Sequence, residues 1–440
     1  MDVIIKVIQV IFALSILVLV HELGHFMFAR MFKIRVDKFY LFFDAGFALF
    51  RYKPKNSDTE YGIGWLPLGG YCKISGMVDE SLDTKGLSEP PKEYEFRSKP
   101  AWQRLLVMAG GVLFNLIFAV FLYCAIMFAW GDEYLKNDDA TFGIVVNSVS
   151  HDMGFRNGDK IIAFDEYKPE KFHELQIDLV RLQAERATVL RRGEVITFNI
   201  DPRFLPAAIN TPRIFEIAYP FEIGEIPENS INLESGIMTG DRITGINDLP
   251  MYLTQDIQTE LKSHKGETIT LNLLRSGEEL VINVAVDTAG LIQIHLADPS
   301  HYFHFTRHEY NILSAVPAGL KLTVKTVGNY IKDLGLIFSP KTEAYKSVGS
   351  VIAIGSIFPS KWNWEFFWNI TAMLSIMLAV INLLPIPALD GGHIVFTLYE
   401  IITRRKPSDR FLEIAQIIGM IILFTIIILA FGNDIARLFR

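Results

Sequence analysis

Apolar residues gather into four long stretches, at about residues 4–28, 105–130, 366–384 and 414–431. A helix rises about 1.5 Å per residue, so roughly 20 residues cross a hydrocarbon core about 30 Å thick. The last stretch runs Ile421-Ile422-Leu423-Phe424-Thr425-Ile426-Ile427-Ile428-Leu429-Ala430 and has no polar face. That argues against buried core helices of a soluble protein. A cleaved leader is a poor reading of the first stretch, because no small-residue cleavage site follows it. The pattern predicts a multi-pass α-helical membrane protein with four transmembrane helices.

Between residues 131 and 360 the pattern becomes that of globular sequence. Alternation at 195–200 and 279–286 predicts strands, while 172–186 and 254–262 read as helices. Two passages repeat. Gly154-Phe155-Arg156-Asn157-Gly158-Asp159-Lys160-Ile161 matches Gly236-Ile237-Met238-Thr239-Gly240-Asp241-Arg242-Ile243, and Leu190-Arg191-Arg192-Gly193-Glu194 matches Leu274-Arg275-Ser276-Gly277-Glu278. Two matches in the same order indicate a duplicated module. The Gly-x-x-x-Gly-Asp passage is similar to that of PDZ domains, which implies peptide capture along a strand edge or steric filtering. Residues 203–213, with Pro206 and Pro212, read as a linker. Residues 311–336 read as an amphipathic helix lying against the membrane. His301, His304 and His308 just before it read as part of a juxtamembrane aromatic segment rather than a second metal site.

Composition sharpens this picture. Half the residues are hydrophobic and 21% are charged, which excludes a disordered chain. Two cysteines cannot build a disulfide scaffold. The net charge of −7 argues against nucleic acid as a partner. It is also unevenly spread: residues 131–300 carry −13 and the rest of the chain +6. Residues 30–104 hold 13 Lys/Arg, and Arg404, Arg405, Lys406 and Arg410 crowd the last short link. By the positive-inside rule both links face the cytosol, leaving both termini and the 131–360 segment outside.

The candidate chemistry lies inside the first apolar stretch. His21-Glu22-Leu23-Gly24-His25 is an HExxH motif, whose imidazoles sit about 40° apart on one helix face and can share a metal. Two His suit zinc, and Glu22 can act as base toward water that the metal polarises. Ionisable groups in an apolar helix are costly and usually functional. Zinc needs a third protein ligand. The best candidate is Asp390, in Asn382-Leu383-Leu384-Pro385-Ile386-Pro387-Ala388-Leu389-Asp390-Gly391-Gly392-His393, where prolines interrupt the third helix. Asn382 is a candidate donor to the substrate backbone or oxyanion, and Asn115 a weaker substrate-binding candidate. Glu60–Ile74, with Gly62, Gly64, Gly69 and Gly70, is expected to form a hairpin dipping to the site. Its edge, at Gly69, Gly70 and Tyr71, would take an extended substrate.

HELGH in the first helix and NxxPxxxLDGG in the third resemble the site-2 protease family of intramembrane zinc metalloproteases. The helix order with two PDZ-like domains between the second and third resembles its tandem-PDZ branch, the RseP type. Pro67-Leu68-Gly69-Gly70-Tyr71-Cys72-Lys73 and Ala109-Gly110-Gly111-Val112-Leu113-Phe114-Asn115 are similar to further family segments. Ala45-Gly46-Phe47-Ala48 and Val348-Gly349-Ser350 depart from it. The resemblance implies that His21, His25 and Asp390 bind Zn2+ and that Glu22 is the base. It implies a bacterial-type inner membrane location, with the active site toward the cytosolic side. The implied partners are membrane-protein substrates already trimmed by another protease, such as anti-sigma factors or signal-peptide remnants, with the PDZ pair excluding bulky external domains. The expected domains are residues 1–130, a first PDZ-like domain at 131–205, a second at 214–298, juxtamembrane helices at 299–362, and the last two membrane helices at 363–440. Two other readings stay open: a membrane-anchored PDZ scaffold with an inert metal site, and a prenyl-type membrane metalloprotease. No signal of an oligomeric state is visible.

Overall fold

The computed structural model describes residues 2–77 and 90–438. Helix α1 (Asp2–Met31) leads into strands β1 (Val36–Tyr52) and β2 (Glu60–Ile74), then α2 (Ala101–Ala129). Next come β3 (Asp132–Leu135), β4 (Ile144–Val146), α3 (Ser148–Asp152), β5 (Lys160–Phe164), α4 (Leu175–Leu182), β6 (Arg186–Arg191), β7 (Glu194–Asn199), α5 (Leu205–Asn210) and β8 (Phe215–Ile217). The second repeat holds β9 (Ile223–Glu225), β10 (Arg242–Ile246), β11 (Leu249–Pro250), α6 (Thr254–Ser263), β12 (Thr268–Arg275), β13 (Glu278–Ala285) and β14 (His295–Leu296). After β15 (Phe305–His308) come α7 (Ile312–Ile337), α8 (Val351–Ile357), α9 (Trp364–Asn382), α10 (Asp390–Thr403) and α11 (Asp409–Leu438). The chain divides into two units. One comprises residues 1–131, 309–335 and 346–440, and the other residues 132–308 and 336–345.

In the first unit, α1, α2, α9 and α11 are, among the described residues, the four helices long and apolar enough to cross a membrane, matching the four apolar stretches. Trp362, Trp364, Phe367 and Trp368 stack around the start of α9, as aromatic residues do at a membrane interface. Helices α2 and α9 pack through Ala119, Leu122, Ala372 and Ile376. Near the end of α11, Asp434 accepts hydrogen bonds from the Ser350 backbone N–H (2.7 Å) and Oγ (2.5 Å), fixing the start of α8. The sequence gives no hint of that role for Asp434. The expected amphipathic helix is α7, which exposes Leu313, Val316, Leu320, Val324 and Ile331.

The expected hairpin over Glu60–Ile74 is not what forms. β1 turns sharply at Phe42 (φ 67°) and Gly46 (φ 85°). Its first part pairs antiparallel with the second half of β2, Val36 opposite Ile74 and Leu41 opposite Gly70. On its other side, Lys38–Leu41 pair with Glu60–Ile63, both numbers rising together. Ala48–Tyr52 then fold back onto Tyr61–Gly64. The result is a small sheet of four segments, ordered 66–74, 36–43, 60–63, 48–52. Sequence alternation could not reveal that one strand serves two partners, because pairing through the main chain leaves no trace in side-chain type.

In the second unit the repeat is real at the level of hydrogen bonds. Gly158 (φ 84°) and Gly240 (φ 87°) take the left-handed backbone of matching turns. The next residue in each, Asp159 or Asp241, is fully buried and accepts from the Arg156 or Met238 backbone N–H, 2.8 Å in both. Each carboxylate also takes a two-pronged bond from Arg191 (2.8 and 2.7 Å) or Arg275 (2.7 and 2.7 Å). Residues 203–213 are not a linker: α5 lies within them, and Leu205 and Ala208 join the core of the first repeat. β8, beyond that segment, completes the first repeat by pairing with β4, as β14 completes the second by pairing with β9. The first module therefore ends later than residue 205, whereas β14 falls inside the 214–298 range expected of the second. Removing Arg191 by substitution to Ala leaves Asp159 buried and unpaired, an expected cost of about 3 kcal/mol. Amide exchange in the intact protein should accelerate in the first repeat and stay unchanged in the second.

Candidate metal centre

His21 and His25 lie on the inward face of α1, and Asp390 opens α10. α9 stops at Asn382, and the Pro385 and Pro387 segment turns the chain back before α10 begins. Gly391 and Gly392 permit that fold: a Cβ on Gly391 would lie 2.2 Å from Leu384 O, and on Gly392 2.4 Å from Pro387 Cα. On the far side of this loop, Gly419 of α11 comes so close that a Cβ would lie 2.5 Å from Ala388 N.

Three lone-pair atoms converge. His21 Nε2 is 3.2 Å from Asp390 Oδ2, His25 Nε2 is 3.3 Å from the same oxygen, and the two Nε2 atoms are 3.3 Å apart. Zinc at about 2.0–2.1 Å from each ligand in tetrahedral geometry requires neighbouring ligand atoms about 3.3 Å apart. Asp390 Oδ2 is buried and has no hydrogen-bond partner, as expected of an atom reserved for a cation. His25 Nδ1 lies 2.8 Å from Val107 O, so it carries the proton and leaves Nε2 free to ligate. These three residues are the one such cluster among the described residues. The donor set therefore fits zinc.

The helix crossing that brings the ring nitrogens together depends on glycine. A Cβ on Gly24 would sit 2.2 Å from Gly110 O, and one on Gly111 would sit 2.5 Å from both His21 Cε1 and His25 Nε2. Reading for reactive residues misses these positions. The available signal was an adjacent glycine pair inside an apolar helix, where each costs about 1 kcal/mol relative to Ala and so implies a close approach.

The remaining expected residues divide by position. Glu22 is in hydrogen-bond contact with the backbone of Cys72 on β2. Asn382 Nδ2 lies 3.4 Å from His21 Nε2, on the ligating side of the ring. Asn115, expected as a substrate contact, is instead fully buried at the other ring nitrogen, 3.2 Å from His21 Nδ1. Gly69 and Gly70 lie in the outer segment of the sheet, and a Cβ on Gly70 would meet Val18 of α1 at 2.7 Å. Tyr71 turns its ring into its own sheet, stacked on Tyr40 at 5.3 Å, with its hydroxyl donating to Asp44 Oδ1 (2.8 Å). Burial opposes ionisation of Asp44, but bonds from Tyr71 and Lys38 outweigh it and hold the carboxyl below its ordinary range. The same burial, with Asp44 alongside, pushes the Tyr71 hydroxyl up. Asp44 thus pins the bent part of β1, a role the sequence analysis does not assign.

Residues 9–426 match the profile of Peptidase family M50. The chain belongs to that family. It is a zinc metalloprotease of the site-2 protease type. Similar proteins span nearly its whole length. The Regulator of sigma-E protease RseP of Escherichia coli (strain K12) is 26% identical, covering 97% of this chain and 98% of that protein. A protein named as a zinc metalloprotease in Neisseria meningitidis serogroup A is 28% identical over 97% and 98%. Among solved structures, a PDZ domain of an SdrC-like protein from Listeria monocytogenes aligns with 20% of this chain and 94% of that one. It has 20% identity and a TM-score of 0.17, too low to bear on the fold.

Proposed function

We propose that this family M50 protease cuts membrane-spanning segments of other membrane proteins, taking the scissile stretch as an added strand on the 66–74 segment. One observation carries the reading. The metal cluster lies at the ends of apolar helices, beside a sheet segment that pairs with β1 on one side alone among the described residues. A peptide bond in a membrane helix has its N–H and C=O already paired, so it must be unwound before attack. An open strand edge offers replacement hydrogen bonds for the extended chain. Residues two apart in a strand present their amides to the same edge, so Gly70 shares the edge on which Cys72 meets Glu22. A substrate held there is led toward the base.

When bound, zinc supplies Lewis acidity to the scissile carbonyl and acidifies water at the site. His21, His25 and Asp390 hold it. Glu22 takes a proton from the attacking water and returns it to the leaving amine nitrogen as the C–N bond breaks. Asn382, on the open side of His21, donates its amide N–H to the oxygen on which charge develops.

The basic 30–104 and 403–410 links support a cytosolic placement of the metal-bearing helix ends, in a bacterial inner membrane. The acidic repeat unit and both termini would then lie outside. There the PDZ-like pair would reject substrates whose external domains have not been trimmed by another protease. Anti-sigma factors are one substrate class that this reading would include; the E. coli relative is named a Regulator of sigma-E protease.

In proteoliposomes, a model single-span substrate should be cut within its apolar span, with the position read by mass spectrometry. Adding a folded external domain should slow the cut. Gly70→Val, whose Cβ would meet Tyr40 O at 2.7 Å as well as Val18, should lower kcat/KM by roughly tenfold through loss of the edge geometry. Cleavage in a soluble flank, with the span left intact, would sink this reading.

A further inference from the structure

Two asparagines touch His21, from opposite sides of its ring. Asn382 lies at Nε2 and Asn115 at Nδ1. Nε2 converges with His25 Nε2 and Asp390 Oδ2, so its lone pair is needed for the metal. A neutral imidazole carries one proton, which must then sit on Nδ1. That N–H is buried and requires an acceptor.

Asn115 is the group available to accept. It is fully buried on α2. As placed, its Nδ2 faces His21 Nδ1, while its Oδ1 is buried without a partner. The oxygen and nitrogen of a carboxamide exchange places on a half-turn with almost no change in shape. With the oxygen toward His21, Nδ1–H donates to it, and a donor facing a donor becomes a hydrogen bond.

The surroundings favour a built support over an accidental contact. Val107, Gly111 and Asn115 are spaced four apart and form one stripe on α2. Val107 supplies its carbonyl to His25 Nδ1 at 2.8 Å, and Gly111 supplies the room for both rings. Asn115 completes the stripe at the back of His21. Its own backbone carbonyl accepts from Ser375 Oγ at 2.8 Å in a buried bond that ties α2 to α9. One helix therefore grips both imidazoles from behind, one through the main chain and one through a side chain.

We infer that Asn115 is a positioning residue for the metal ligand His21, fixing its tautomer and ring orientation through Nδ1, and is not a substrate contact. The inference rests on the metal reading of the cluster, not on where the substrate is cut. Outer partners of ligating histidines typically contribute 10- to 100-fold in metal affinity.

The test measures zinc affinity of the purified full-length protein by chelator competition, with no substrate present. Asn115→Leu keeps the side-chain shape and removes the acceptor, so affinity should fall by about 10- to 100-fold. Asn115→Asp keeps an acceptor and should hold zinc at least as tightly as the parent. At saturating zinc, KM for the model substrate should match the parent in both variants. Parental zinc affinity in Asn115→Leu overturns the inference, and so does a raised KM at saturating zinc. If the Leu variant fails to fold, the Asp variant still decides: weaker zinc binding in a folded Asn115→Asp protein refutes the acceptor role. Cleavage position is read separately, so an error about substrate placement leaves this result interpretable.

Discussion

Glu22→Gln is expected to stop cleavage while leaving zinc in place. Glu22 follows a ligand directly but is not itself part of the converging cluster, which is formed by His21, His25 and Asp390. Glutamine matches its volume and keeps an oxygen for the Cys72 backbone contact, so packing against β2 should survive. What disappears is a group that can accept a proton from water and pass it to the leaving nitrogen. Loss of a positioned general base typically lowers kcat by about 10²- to 10⁴-fold, with KM little changed. Metal analysis and single-turnover cleavage of a model single-span substrate in proteoliposomes check both halves. Retained zinc with cleavage above a tenth of the parental rate would show that another group is the base. Loss of zinc would show that Glu22 helps hold it. Retained zinc without turnover also separates this protein from a membrane-anchored scaffold, whose metal site would have no turnover to lose.

The candidate metal ligands were legible in the sequence because each carries a cost that only function explains. Ionisable groups in an apolar helix, and prolines breaking another, are both expensive at membrane depth. His21, His25 and Asp390, 369 residues apart at the extremes, could be proposed as neighbours on those grounds, and the structure brings them within 3.3 Å. The repeat was legible for a similar reason, since Gly158-Asp159 and Gly240-Asp241 each need a left-handed turn followed by a buried carboxylate. Features that depend on the main chain were not. Lys38–Leu41 pair on both edges, which no side-chain pattern records. The 203–213 segment has the prolines of a linker, yet its apolar Leu205 and Ala208 are spaced three apart and pack as a short helix. Helix α10 went unread because Asp390-Gly391-Gly392 looks like a turn, whereas those glycines allow the helix start to fold against Leu383–Pro387. Asn115 is a weaker substrate-binding candidate in the sequence, and its side of His21 could not be known from spacing alone.

The sharpest test of the glycine argument is Gly111→Ala. On helix propensity alone the change should stabilise α2 by about 1 kcal/mol, because Ala is the best helix former and Gly among the worst. The local geometry predicts the opposite for the site. The added methyl carbon would lie 2.5 Å from His21 Cε1 and 2.5 Å from His25 Nε2, well inside contact distance. Neither ring can simply turn away. His25 is tied through Nδ1 to Val107 O, and the neighbour of His21 Nδ1 is Asn115. The backbones cannot part easily either, because the neighbouring Gly24 and Gly110 already bring the two helices into backbone contact. The ligands must therefore shift by roughly 1 Å, a displacement that typically costs on the order of 10²-fold or more in rate and spoils a tetrahedral ligand set. Gly111→Ala is thus expected to yield a folded protein with impaired zinc retention and kcat/KM lowered by at least about 10²-fold. Gly328→Ala on α7, where a Cβ would meet nothing within 4 Å, provides the control and should leave zinc content and cleavage unchanged. If Gly111→Ala instead keeps parental zinc and activity, the close crossing of α1 and α2 is not what holds the two imidazoles in place.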